Sequence, residues 1–248
     1  MRALLARNAS SWTGPTGNTT FLLVGRIPTL VDAGIGHPDH LDEIVTALSG
    51  RALEAVLVTH GHPDHASGIP ALASRWPDLR VVRYPASGAD PIRAGDGELR
   101  PIHTPGHAPD HMCFLDPSSG DLYCGDLIRL GGTIVIPASR GGNLREYLDS
   151  LRRVRALAPR RLLPAHGPII DDPLPVIDEY IRHRLMRDQE VLSAVRAGQS
   201  TVEQITAVVY PGLSPDFAAA AADTVLAHLR YLEETGRAIP KGIVWTLA

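Results

Sequence analysis

The feature that most constrains this chain is a loop rich in metal-binding side chains, directly after an apolar run. Residues Ala55–Val58 are typical of a buried strand, and they end abruptly at the loop Thr59–His65. Neutral imidazole nitrogens and carboxylate oxygens are ligands that zinc and neighbouring transition metals prefer. The pattern therefore predicts a metal site at the end of a buried strand, with four candidate ligands: His60, His62, Asp64 and His65.

Further along the chain, three more strand-like segments end in a residue that can bind a metal. After the first, a Pro-Gly pair forces a tight turn that presents His107. The second segment ends at Asp126 and the third at His166. The repeated placement of ligand-type residues at strand ends indicates one shared centre at the edge of a sheet.

Several other polar residues have more than one interpretation. Asp32 ends a short strand-like segment, where it could accept hydrogen bonds from a neighbouring loop or cap the helix that follows, and both remain open. His37 and His40 stand at the start of that helix and are expected to be surface or capping residues. His103 and His111 flank the Pro-Gly turn and are expected to be hydrogen-bonded structural histidines, because a tetrahedral site saturates quickly.

Size and composition are those of an ordinary globular protein. The chain has 248 residues, 44% hydrophobic and 21% charged, with a net charge of −3. No stretch approaches the roughly 20 apolar residues of a membrane span, and Arg7 interrupts the short N-terminal apolar run, so we expect a cytoplasmic protein. The net charge argues against coating nucleic acid, and double-stranded DNA reading is unsupported. Cys113 and Cys124 are too few for a disulfide framework and are expected to be buried thiols.

The motif His-x-His-x-Asp-His, followed by Thr-Pro-Gly-His, Gly-Asp and Ala-His-Gly, resembles the metallo-β-lactamase superfamily. The resemblance implies a four-layer αββα sandwich with two divalent metal ions, expected to be zinc, although manganese or iron suit the same ligands. It also implies the roles of individual residues. One metal would be held by His60, His62 and His107, and the other by Asp64, His65 and His166. Asp126 would bridge the two, and Asp32 would orient the ligand histidines from behind.

The resemblance further implies a hydrolase. Two divalent cations can lower the pKa of a shared water from about 15.7 toward about 7, and so supply hydroxide at neutral pH. Asp64 is the expected catalytic residue, which would orient the water and carry its proton. The sequence contains no Gly-x-Ser-x-Gly elbow, Walker loop or dinucleotide fingerprint that would favour another mechanism. A binding module without activity would be expected to have lost at least one ligand, and every one is present.

The substrate class is less constrained than the reaction. The segments Pro164–Pro168, Tyr180–Arg184 and Arg187–Leu192 resemble the β-lactamase-like protein 2 subgroup of single-strand endoribonucleases, which implies single-stranded RNA. The alternative is a small-molecule substrate of a glyoxalase-II-like thioesterase, or of a related esterase or lactonase. An aromatic content of 5% and the absence of a basic run count against RNA. The Ala-His-Gly-Pro sequence around His166 and the lack of an evident cationic pocket for glutathione count against the thioesterase. His183 and Arg184 could lie near the substrate, but a helix-surface position is favoured.

The composition becomes helical toward the C-terminus, which predicts two domains. On the resemblance, residues 1–172 would form the metallo-β-lactamase-fold catalytic core, and residues 173–248 resemble a small helical, winged-helix-like appendage. Strands are predicted at residues 19–24, 29–32, 54–58, 81–84, 112–115, 121–124, 161–163 and 243–247. Helices are predicted at residues 38–48, 69–75, 143–157, 176–195, 201–209 and 216–234. The oligomeric state is left open.

Overall fold

The structure is a computed structural model that describes residues 1–85 and 90–248. Its residues divide into two compact units. The first unit consists of Met1–Thr104, Asp110–Thr133 and Leu157–Pro173, and the second of Pro105–Pro109, Ile134–Ala156 and Leu174–Ala248. The sequence-based domain boundary between residues 172 and 173 stays a prediction.

The first sheet lies in the first unit and explains how two polar loops come to one edge. Its strands, in spatial order, are β1 (Arg2–Leu5), β2 (Thr19–Leu23), β3 (Thr29–Val31), β4 (Ala55–Leu57) and β5 (Arg80–Val82). The first three strands pair antiparallel, whereas β3, β4 and β5 run parallel. Because the last residues of β3 and β4 pair with each other, the residues that follow them, from Asp32 and from Val58, emerge side by side.

The second sheet, also in the first unit, delivers two more candidate ligands in the same way. Its strands, in spatial order, are β10 (Arg161–Pro164), β9 (Asp121–Gly125), β8 (Met112–Leu115), β7 (Gly97–His103) and β6 (Ile92–Ala94). Among the described strands of this sheet, only β9 and β10 pair in parallel, and their last residues are partners. Asp126 and His166 follow these two strand ends and therefore emerge at one edge.

An apolar core between the two sheets holds them together. Phe21, Val31 and Leu57 from the first sheet share one buried cluster with Phe114 and Tyr123 from the second. The rings of Phe21 and Tyr123 meet edge to face, with centroids 5.4 Å apart. Burial of apolar area is the main stabilising term of such a core, at roughly 25 cal/mol per Å².

Helices cover the other face of the first sheet. Helix α1 (Pro38–Leu48) begins at His37, whose side chain accepts a hydrogen bond from the helix backbone, which confirms the capping prediction for this histidine. After the short helix α2 (Pro63–Ala66) comes α3 (Ile69–Arg75). Ile44 and Leu72 from α1 and α3 are fully buried against strands β3 and β4.

The second unit is mainly helical. It includes most of α4 (Leu144–Leu157) and α5 (Pro173–Arg196), and all of α6 (Val202–Val209) and α7 (Pro215–Glu234). A hairpin of β11 (Ala238–Lys241) and β12 (Val244–Leu247) follows. The α5–α7 helices and the hairpin bury a cluster of their own that includes Val191, Ile205, Val225, Leu229 and Trp245.

Most of the predicted elements are present, and the helices at 38–48 and 69–75 and the strand at 112–115 agree to the residue. Strands β1, β6 and β11 were not predicted. β1 and β6 are edge strands of three or four residues with few buried side chains, so they lack the alternating apolar pattern of an interior strand. The predicted terminal strand is the second strand of the hairpin, rather than a strand alone.

One histidine lies where the sequence did not predict it. His40 is fully buried, and its Nε2 lies 2.8 Å from the hydroxyl of Thr20, so the prediction of a surface or capping role is wrong. Cys113 and Cys124 are buried free thiols, as expected. Among the residues that the structure describes, no helix is both long enough and apolar enough to cross a bilayer.

Candidate metal centre

The histidine-rich loop turns directly from a buried strand into a short helix. β4 ends at Leu57, and α2 begins after His62, which occupies the N-cap position. His60 and His65 are almost completely buried, and His62 is half-buried. The Nε2 atom of His60 lies 2.8 Å from Nδ1 of His62. The loop therefore holds its imidazoles close together and largely away from bulk water.

Asp32 anchors this loop from behind. One carboxylate oxygen accepts a hydrogen bond from the backbone N–H of Thr59 at 2.8 Å. The other oxygen lies 2.8 Å from Nδ1 of His65. The carboxylate thus fixes the ring so that Nε2 of His65 faces the centre, as a carboxylate behind a ligand histidine does in metal sites. The alternative role of Asp32 as a helix cap is wrong, since His37 caps α1.

Four side chains of the first unit converge in front of this anchor. Nε2 of His65 lies 3.4 Å from an Asp64 oxygen and 3.5 Å from an Asp126 oxygen. Nε2 of His166 lies 3.5 and 3.2 Å from the same two oxygens. Together with His60, they form two sets of three potential ligand atoms within the first unit, each within 4.8 Å of one another: His60, His65 and Asp126, and Asp64, His65 and His166.

His166 is oriented in the same way as His65, by a hydrogen bond from Nδ1 to an oxygen acceptor. Its Nδ1 lies 3.2 Å from the backbone carbonyl of Thr13, so this nitrogen carries the proton and Nε2 faces the two carboxylates. Thr13 belongs to the loop between β1 and β2. This loop therefore takes part in building the centre, although nothing in its sequence predicts that role.

The charges of the converging side chains depend strongly on one another. Burial raises the pKa of Asp126, but the imidazoles of His65 and His166 outweigh burial and hold that pKa well below its ordinary value. Burial lowers the pKa of His166, but Asp126 and Asp64 outweigh it and raise the pKa to about 9. Burial also raises the pKa of Asp64, and hydrogen bonds from His166 and His65 reverse that shift. Buried imidazoles and carboxylates thus need each other or a cation.

The chemistry of this donor set fits a divalent transition metal. Both His65 and His166 have Nδ1 tied to an oxygen acceptor and Nε2 directed at the carboxylates of Asp64 and Asp126. Imidazole nitrogen with carboxylate oxygen suits zinc, iron and manganese alike. When bound there, such ions would polarise a carbonyl or phosphoryl oxygen and acidify water.

His107 belongs to the second unit. It is buried, and its Nδ1 lies 2.7 Å from the backbone carbonyl of Val135, so the ring is oriented by the same kind of bond as His166. The preceding Gly106 has φ +131°, and an added Cβ would lie 2.3 Å from the backbone of Tyr147. Only glycine fits this turn, which explains the Pro-Gly-His sequence. The role of His107 as a metal ligand stays a prediction.

Three further residues show what the sequence did and did not reveal. His111 is buried and hydrogen-bonded through both ring nitrogens, as expected. His103 stacks on the ring of Tyr84 at 4.2 Å. Asn18 was not predicted. It is buried, and its Nδ2 donates to Asp64 at 3.1 Å. A single asparagine before a strand carries no signal that would have identified it.

The surface position favoured for Arg184 is wrong. Within the second unit its side chain is 1% exposed, its guanidinium lies over the ring of Tyr147 at 5.2 Å, and it donates to the carbonyl of Ile134. His183, its neighbour on α5, is half-buried. A buried arginine on an amphipathic helix cannot be told from a solvated one by spacing alone.

Comparisons with known proteins identify the family. The model of the metallo-beta-lactamase superfamily matches residues 12–86 and 78–166, and that of the beta-lactamase associated winged helix domain matches residues 201–245. A lactamase-like protein nscB from Aspergillus fumigatus is 37% identical over 200 residues, which are 75% of this chain and 59% of that protein. The chain thus spans about three fifths of the length of this curated relative.

Solved structures show the same fold. A metallo-beta-lactamase family protein from Thermus thermophilus has a TM-score of 0.80 at 19% identity, over 100% of this chain and 98% of that one. A structure determined in a di-iron-bound form has a TM-score of 0.54 at 26% identity, over 67% of this chain and 95% of that one. These likenesses confirm the fold class predicted from the sequence. The chain belongs to the metallo-beta-lactamase superfamily of metal-dependent hydrolases and carries its associated winged helix domain.

Proposed function

We propose that the chain hydrolyses a small carboxylic acid derivative, namely an ester, thioester or lactone, with water as the nucleophile. The observation that carries this proposal is the position of Trp12. Its side chain is 49% exposed, and it stands next to Thr13, whose carbonyl accepts the hydrogen bond from His166. An exposed indole on the segment that bonds to His166 suits the apolar body of a small acyl substrate.

The loop that carries Trp12 is held by its neighbours in the first unit. The guanidinium of Arg129 reaches the carbonyl of Trp12 at 3.5 Å, and the hydroxyl of Thr13 donates to the carbonyl of Asn8 at 2.5 Å. Ser10 and Gly14 pair across the loop. Trp12 is therefore presented on a braced turn, which lowers the entropy cost of ordering it around a substrate.

Asp64 is the proposed proton carrier. Its side chain is 27% exposed, compared with 11% for Asp126 and 4% for Asp32, so it is the carboxylate of the centre that can best reach a bound substrate. Asn18 holds one of its oxygens. In the proposed reaction, the water oxygen bonds to the acyl carbon while its proton passes to Asp64. Asp64 then protonates the alkoxide or thiolate that leaves.

Single-stranded RNA, the substrate class that the subgroup resemblance implies, is the alternative to this proposal. A single-strand nuclease needs a basic groove with stacking aromatics, and the net charge of −3 supplies no general attraction for a polyanion. The Aspergillus fumigatus relative is named a lactamase-like protein. This name favours a carboxylic acid derivative as the substrate, since a lactam is one as well. Zinc as the metal and a cytoplasmic location are likewise proposals, to be tested by metal analysis and cell fractionation.

A direct test compares four substrates on the metal-loaded full chain: a p-nitrophenyl ester, an acyl thioester, a lactone and a labelled single-stranded RNA. We expect turnover of at least one carbonyl substrate and none of the RNA. Asp64→Asn should lower kcat by about 10²-fold or more. Trp12→Ala should raise KM for esters with large acyl groups and leave acetyl esters nearly unchanged. RNA cleavage that is lost in Asp64→Asn, without carbonyl turnover, would overturn the proposal.

A further inference from the structure

His111 lies directly behind the metal centre without belonging to either set of ligand atoms that converges there. It is fully buried in the first unit, and its ring centroid is 5.2 Å from that of His60. Its Nε2 accepts a hydrogen bond from the backbone N–H of Asp126 at 3.1 Å. Its Nδ1 lies 2.8 Å from the hydroxyl oxygen of Thr104. The imidazole thus connects the strand end before Asp126 to the strand end before the Pro-Gly turn.

These two contacts determine the tautomer of His111. A backbone N–H can only donate, so Nε2 must be the unprotonated nitrogen of a neutral ring. Nδ1 therefore carries the proton and donates it to Thr104. The Thr104 hydroxyl can then donate to the sulfur of Cys113, 3.3 Å away. Nε2, which accepts the hydrogen bond from Asp126, is not available to a metal.

The backbone before Asp126 is shaped around this ring. Gly125 has φ +48°, and an added Cβ would lie 2.9 Å from Nε2 of His111 and 2.8 Å from the side chain of Thr59. A side chain at this position would push the strand end away from the imidazole. Glycine therefore allows the close approach that the hydrogen bond to Asp126 requires.

We propose that His111 is a positioning residue for the metal centre. By accepting the Asp126 N–H and anchoring its own Nδ1–H on Thr104, it fixes the backbone from which the Asp126 carboxylate projects. A buried polar partner behind a ligand is often needed for tight metal binding, and its loss typically costs about 10–100-fold in affinity. This inference rests on the proposed metal ligands but not on the proposed substrate class.

Two substitutions of His111 distinguish a role in positioning Asp126 from a role in filling space. Each preserves only one of the two hydrogen bonds that the ring makes. His111→Gln places an amide oxygen near the position of Nε2 and can still accept the Asp126 N–H. His111→Asn places its amide near Nδ1 and cannot reach Asp126. His40→Leu is the matched control, since His40 is another fully buried, hydrogen-bonded histidine of the same unit outside the centre. The readouts are the dissociation constant for Zn²⁺, the visible absorption spectrum of bound Co²⁺ and thermal unfolding.

We expect His111→Gln to bind Zn²⁺ within about threefold of the original protein and to keep its Co²⁺ spectrum. His111→Asn should bind about 10–100-fold more weakly and show an altered Co²⁺ spectrum. His40→Leu should unfold at a lower temperature with unchanged Zn²⁺ affinity. Equal Zn²⁺ affinity in the Gln and Asn variants would overturn the positioning role. Absence of Zn²⁺ binding by the original protein would instead overturn the proposed ligand set.

Nuclear magnetic resonance of the unaltered, metal-loaded protein gives a test that does not depend on a variant folding. Nitrogen-15 shifts of the His111 ring should show protonated Nδ1 and unprotonated Nε2. The opposite tautomer, or a ring protonated at both nitrogens, would contradict the hydrogen bond from Asp126 and overturn the inference.

Discussion

The Nδ1 atom of His65 lies 2.8 Å from the carboxylate of Asp32, and both side chains are almost fully buried. The same carboxylate holds the backbone and the hydroxyl of Thr59. Because Asp32 follows β3 and Thr59 follows the parallel strand β4, the pairing of two strand ends is what allows one aspartate to organise the ligand loop. The register between β3 and β4 thus determines whether Asp32 can reach Thr59 and His65.

Removal of the Asp32 carboxylate should weaken metal binding. In Asp32→Ala, His65 loses the partner that orients its ring, so we expect Zn²⁺ affinity to fall about 10–100-fold. Asp32→Asn keeps an oxygen acceptor at the same place and should lose less. Isothermal titration with competing chelator measures both. Unchanged affinity in Asp32→Ala would show that His65 is not a ligand or does not need this support.

Folding stability should depend on pH through His40. Burial is the main cause that lowers its pKa from 6.5 to about 4, against the opposing effect of Glu43. The neutral ring is thus favoured in the folded state, so the stabilisation is complete above pH 6.5 and is lost as the pH falls toward 4. The shift corresponds to at most about 3 kcal/mol.

Comparison with His40→Leu isolates this contribution. With chelator present, the free energy of unfolding of the original protein should fall by up to about 3 kcal/mol more than that of the variant between pH 7 and pH 4. Urea unfolding at a series of pH values measures the difference. Parallel pH profiles for the two proteins would contradict the neutral, buried state of His40.

The Pro-Gly turn before His107 should not tolerate a side chain. In Gly106→Ala the new Cβ would meet the backbone of Tyr147 at 2.3 Å, which must force the turn away from α4. Gly198→Ala in the same unit is the matched control, since it also has positive φ but has nothing within 4 Å of the added Cβ. We expect Gly106→Ala to be about 1–3 kcal/mol less stable than the control variant in urea unfolding. Equal losses of stability in the two variants would show that the turn can move to accommodate the added Cβ at little cost.

Asn18 should matter to turnover through Asp64. Its side-chain oxygen accepts a hydrogen bond from Nδ2 of Asn8 at 2.8 Å, so its amide nitrogen is the end that faces Asp64. Its backbone N–H donates to Oδ1 of Asn8, also at 2.8 Å. Asn18→Ala removes that donor, and we expect kcat to fall about 10-fold or more with little change in KM. Asn8→Ala leaves the donor but loosens it, and should show a smaller fall. A larger effect on KM than on kcat in Asn18→Ala would point to substrate contact instead.

The parts of this centre that could be predicted share one property, which is that their chemistry is local in sequence. The loop from His60 to His65 concentrates four ligand-type residues, and Asp126 and His166 each follow a recognisable strand. The positions of Asn18 and Thr13 could not be predicted, because their contacts with Asp64 and His166 span 46 and 153 residues of sequence.

Buried polar residues were the other source of error. Helical periodicity places a residue on a face, but it cannot say whether a polar side chain on that face has found a partner. His40 is buried against Thr20 and Arg184 against Tyr147, and neither contact leaves a trace in the spacing of apolar residues. The polarity of His40 and the charge of Arg184 predicted surface positions, but contacts with residues distant in sequence allow both side chains to be buried.

The most direct test of this account is anomalous X-ray diffraction from crystals of the purified chain, combined with elemental analysis of the same sample. We expect two divalent metal ions per chain, one of them at a bonding distance of about 2.0–2.2 Å from Asp64, His65 and His166. Crystals soaked in Zn²⁺ that show no anomalous peak at these three side chains would contradict it.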